Sequence, residues 1–150
     1  MKIKCVVSEE RLKELCREWQ ARLHLQAWDI VVKICRQSEF ALPDVEGENL
    51  WDLRVCKSFI RILDPIDYKS SSWPQDMEIC LVHELLHLHF MSFEPKDDGL
   101  EHDYMESVIE RLANVLVDMK RETGKGGDGI NDGTDSAVAG RKVEDSAMDS

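Results

Sequence analysis

Apolar and polar positions change their period several times along the chain, and each change marks an element. Between Ser8 and about Leu25, residues Leu12, Leu15, Cys16, Trp19 and Leu23 follow the spacing of a helix with one buried stripe. Ser8 opens it, because its oxygen accepts an orphan amide and Glu9 and Glu10 suit the positive end of the dipole. The short β-branched run IVVKIC, 30–35, reads as a strand. A polar loop with Pro43 and Gly47 is expected next. Residues 50–63, LWDLRVCKSFIRIL, alternate in a way that predicts one long strand or a hairpin broken near Lys57 and Ser58. Asp64-Pro65 ends that segment, since proline has no amide to donate and pushes its predecessor out of helical geometry.

SSSWPQDME, 70–78, predicts a loop passing into a helix, with a serine cap and a proline tolerated in the first turn. The helix runs to about Met91 and is apolar on nearly every side, so it is expected to be central and buried. After a loop from Pro95 to Gly99, a last helix from Leu100 to Arg121 carries Met105, Val108, Ile109, Leu112, Val115, Leu116 and Met119 at helical spacing. Beyond it, six of the eight glycines fall between 124 and 140 among Asp and Ser, a composition that cannot offset its ordering entropy. The pattern therefore predicts one α+β domain over 1–121, with an N-terminal helix, a small twisted sheet, a central helix and a closing helix. A disordered tail is expected over 122–150.

The central helix contains LVHELLHLHF, 81–90, which sets ionisable groups in an apolar run where an unpartnered one would cost several kcal/mol. His83 and His87 are four residues apart, one turn apart on one face, and Glu84 adjoins that face. This is H-E-x-x-H, whose logic is two imidazole ligands for zinc and a glutamate that takes a proton from a water the ion acidifies. His89 points to roughly the opposite side and is expected to be packed or to support the site from behind. His24 reads as a surface or helix-terminal histidine.

A catalytic zinc takes three protein ligands and keeps one position open. His102, Glu106 and Glu110 of the last helix are candidates for the third. Glu106 lies beside the apolar stripe and is preferred. Glu110 turns further toward solvent, and His102 sits in an acidic first turn. Glu110 has a second possible role, orienting a metal-bound histidine.

HELLH followed by a glutamate on a later helix resembles the gluzincin branch of the zincin metallopeptidases. HELLHLHF and MESVIERLAN also resemble small metallopeptidase-like proteins of phages and prophages, and ERLAN, 110–114, is similar to a Glu-x-x-Ala-Asn pattern of ImmA/IrrE-type peptidases. The gluzincin likeness implies Glu106 as third ligand and the ImmA/IrrE likeness implies Glu110. The chain departs from metzincins, with Phe90 and Phe93 where their Gly and third His stand, and no SprT-like cysteine cluster follows. The resemblance spans about residues 50–120 and implies a minimal zincin: Zn(II) on His83, His87 and Glu106, Glu84 as general base, and a peptide or protein substrate. An edge strand near 50–62 would hold that substrate in extended form. The alternative is a non-catalytic zinc module with a regulatory or interaction role.

Composition narrows the partners. A net charge of −11, from 30 acidic and 19 basic residues, opposes an extended phosphate contact, so no direct nucleic-acid partner is expected. The five cysteines are scattered singly, which suits neither a zinc finger nor a disulfide framework. No leader-like pattern or membrane-spanning run is apparent, so a cytoplasmic protein with no membrane partner is expected.

Overall fold

A computed structural model describes residues 4–69 and 72–125. Helix α1, Glu9–Arg22, begins where Ser8 Oγ accepts the Arg11 amide and buries Leu12, Leu15, Cys16 and Trp19. It stops short of the expected Leu25. His24, exposed and in the left-handed region at φ 57°, turns the chain just past its end.

Three strands follow: β1, Asp29–Cys35, β2, Gly47–Asp52, and β3, Lys57–Leu63. Their order is β1-β3-β2, with β1 parallel and β2 antiparallel to the central β3. Residues 50–63 are thus the hairpin of the two expected alternatives. Its break spans 53–56, where Cys56 adopts φ 50°. Gly47 to Asn49, expected as loop, belong to β2. Pairing with β3 sets Gly47 opposite Ile62 and Asn49 opposite Ile60, overriding the poor intrinsic strand propensity of Gly and Asn.

Alternation then decides the faces. Ile60 and Ile62 point inward with Val32 and join the core beneath the helices. Phe59, Val31 and Leu50 form a row on the open side of the sheet. The result is a two-layer α+β domain in which helices cover one face.

Helix α2, Met77–Phe90, is the central helix, with Leu81, Val82, Leu85, Leu86 and Leu88 buried. Its cap is Asp76, not a serine: the Asp76 carboxylate accepts the Ile79 amide and also pairs with Arg121. Helix α3, Leu100–Lys125, runs four residues beyond the expected end and so takes in 122–125 of the expected tail. The rest of that tail, 126–150, lies outside the described residues. The buried line of α3 is Ile109, Ala113 and Val117, whereas Leu112, Val115 and Met119, assigned to the stripe, are exposed. Small Ala113, fully buried, lies midway along that line and joins the core cluster shared with α2, while the flank of Leu112, Val115 and Met119 is left exposed among the described residues. No described helix is long and apolar enough to cross a membrane.

Candidate metal centre

Two neighbours position the HELLH face of α2. The first is β2, whose alternate residues Gly47, Asn49 and Trp51 all point at the helix. Gly47 lies so close that a Cβ there would sit 2.6 Å from Cys80 Sγ and 2.8 Å from Glu84 Oε1. Asn49 Nδ2 donates to the Glu84 main-chain carbonyl at 2.8 Å, while its Oδ1 accepts from buried Ser58 at 2.7 Å. Trp51 stacks on the His87 ring, with centroids 6.0 Å apart and planes 20° apart. The sequence pattern Gly-x-Asn-x-Trp carried this period-2 signal, but its composition reads as loop.

The second neighbour is α3. It brings Glu106 over both histidines, with one carboxylate oxygen 3.0 Å from His83 Nε2 and the other 3.2 Å from His87 Nε2. One ligand atom from each of His83, His87 and Glu106 lies within 4.8 Å of the others, and among the described residues this is the group that converges so. Glu110 approaches the other side of His83, its carboxylate 2.8 Å from Nδ1, and also accepts from Asn114. Its contact is with the outward nitrogen, the place of a group that orients the ring. His102 Nε2 stays 4.0 Å from Glu106 and does not join the group. His89 lies on the far side of α2, exposed rather than packed, and its Nε2 meets the Leu23 carbonyl at 2.7 Å.

Electrostatics follow from this crowding. Burial alone would lower His83, but Glu106 and Glu110 outweigh it and lift the imidazolium to about 10. Hydrogen bonds from the two histidines hold the Glu106 carboxyl far below its ordinary range. Glu84 is buried, 7% exposed. That burial pushes its carboxyl up to about 7, against the opposing charges of His83 and His87. A carboxyl poised near neutrality suits a group that accepts and returns a proton.

The cluster lies in the floor of an open groove of about 1110 Å³ between α2 and α3 on one side and β2 with Tyr68, Trp73 and Pro74 on the other. Comparison with family models, with curated proteins and with solved structures gives no match.

Proposed function

We propose that the protein is a zinc-dependent peptidase that hydrolyses a peptide bond with Glu84 as general base. The observation that carries the reading is the meeting of His83, His87 and Glu106 beside buried Glu84 in the floor of an open groove. The donor set fits the ion. Two imidazole nitrogens and a carboxylate oxygen are ordinary zinc ligands, and one such atom from each of His83, His87 and Glu106 lies within 4.8 Å of the others. His83, His87 and Glu106 would hold the zinc, which when bound polarises a carbonyl and acidifies a water.

The remaining roles belong to the chain. Glu84 takes the proton of the attacking water and delivers it to the leaving amine. Glu110 keeps His83 in one orientation by accepting from Nδ1. The edge that offers main-chain groups to an extended substrate is β2, whereas 57–62 of the expected edge lie in the central strand. A purely structural zinc site closes with four protein ligands. Three donors at a groove favour the catalytic reading over a non-catalytic zinc module.

Glu84→Gln tests this directly. Cleavage of a peptide library by the zinc-loaded protein is expected to fall by at least about a hundredfold, with zinc content unchanged. Stoichiometric zinc in a parent protein that cleaves no member of the library would point to the module instead.

A further inference from the structure

The groove is not uniform along its length. On its helical floor the residues recur once per turn, Asp76 at the cap of α2 and Cys80, His83 and His87 along it. Trp73 and Pro74, just ahead of α2, line the groove together with Leu42, Val45 and Tyr68, an apolar stretch of its wall. Leu42 and Trp73 expose more than half of their surface there, at 62% and 63%. That wall is anchored: Tyr68 packs with Val45 on the small cluster of Cys35, Phe40 and Leu63, and its hydroxyl donates to the Trp73 carbonyl at 2.6 Å.

From His83 to Asp76 is seven residues of helix, a rise of about 10 Å, which an extended peptide covers in about three residues. Between the two ends the groove is acidic. Glu46 and Glu110 both line it, and burial, with the Glu110 charge added, raises the Glu46 carboxyl. Asp118 and Glu122 line it further along. Glu110 meets His83, and of the arginine and lysine that line the groove among the described residues, Arg121 is held by Asp76 and Glu78, which leaves Lys125 to oppose Glu46, Asp118 and Glu122.

Resting on the peptidase reading, we infer that the groove selects a cationic, extended peptide. The substrate would carry Lys or Arg beside the scissile bond, facing Glu46, and a bulky apolar side chain about three residues away, against Trp73 and Leu42. The two features reinforce each other, since the acids draw in basic segments and the apolar wall sets their register.

The test is equilibrium binding to zinc-loaded Glu84→Gln, followed by fluorescence anisotropy, so that recognition is read without cleavage. The probes are matched fluorescein-labelled peptides carrying Arg with Trp, Arg with Ser, Glu with Trp or Glu with Ser at that separation. The Arg/Trp peptide is expected to bind more than about tenfold tighter than Glu/Ser. In the same background Trp73→Ala should erase most of the preference for Trp over Ser. Glu46→Gln should weaken the preference for Arg over Glu by about three- to fivefold. Equal binding of all the peptides, preference for the acidic ones, or no binding would overturn the inference. If the parent cleaves peptides without regard to either feature, the inference fails and the peptidase reading survives. Selective binding with no cleavage by the zinc-loaded parent would leave the groove's selectivity standing and remove the peptidase reading.

Discussion

Gly47 has only a hydrogen where any other residue would place a carbon against Cys80 and Glu84. Its value lies in close approach, since it has no left-handed backbone angle to maintain. Gly47→Ala is therefore expected to push β2 off α2, with a loss of about 1–3 kcal/mol in urea unfolding. Cys80→Ala in the same chain removes the nearer obstacle. The double variant should recover part of the loss, a coupling of at least about 0.5 kcal/mol against the two single variants. Additive losses would show that the contact is not what fixes the strand. His83, Glu84 and His87 were legible in the sequence because their spacing alone puts them on one helical turn. Gly47, Asn49 and Trp51 were not, because their roles come from pairing with a strand ten or so residues later. Glu106 was separable from Glu110 only in part. Both lie on one flank of α3, and the crossing of α3 over α2 decides which meets the inner nitrogens.

That crossing is fixed by a charged knot at the other end of the helix pair. Glu78, buried on α2, accepts from Trp19 of α1 at 2.8 Å and pairs with Lys120 and Arg121 of α3. Lys120 also reaches Glu18, and Arg121 reaches Asp76. One carboxylate thus ties three helices together and sets how α3 presents Glu106. Glu78→Ala is expected to cost about 2–3 kcal/mol, less than loss of a fully buried pair because both cations keep another acid. Burial pushes the Glu78 carboxyl up, but hydrogen bonds from Lys120 and Trp19 and the nearby cations outweigh it and leave it lowered. A lowered folded-state value means the stabilisation is present above the ordinary carboxylate range and is lost as pH falls through and below it. Unfolding between pH 7 and about pH 3 should accordingly lose less stability in Glu78→Gln than in the parent. An equal loss would move the acid sensitivity elsewhere. The elements themselves were largely readable from periodicity. What misled was α3, whose widest apolar stripe is not the one it buries, since the buried line runs through a small residue, Ala113, between Ile109 and Val117.

For the molecule as a whole, the α+β layering follows from elements that each bury one face, and the site follows from where two of them meet. The sheet supplies an edge and a close-packed wall, α2 the two histidines and the base, and α3 the carboxylate. None of these alone would converge on an ion. The excess of acid over base belongs to the same picture, because part of it lines the groove, where Glu106 and Glu110 meet His83, Asp76 meets Arg121 and Glu48 meets Arg61. The most direct measurement is metal content and zinc affinity of the purified parent beside Glu106→Ala and Glu110→Ala. The account predicts one zinc per chain in the parent and its loss in Glu106→Ala. Glu110→Ala should retain the ion with an affinity lowered by about 10- to 100-fold, as expected for a group that only orients His83. A parent that binds no zinc, or a Glu106→Ala protein that keeps it in full, would contradict the account.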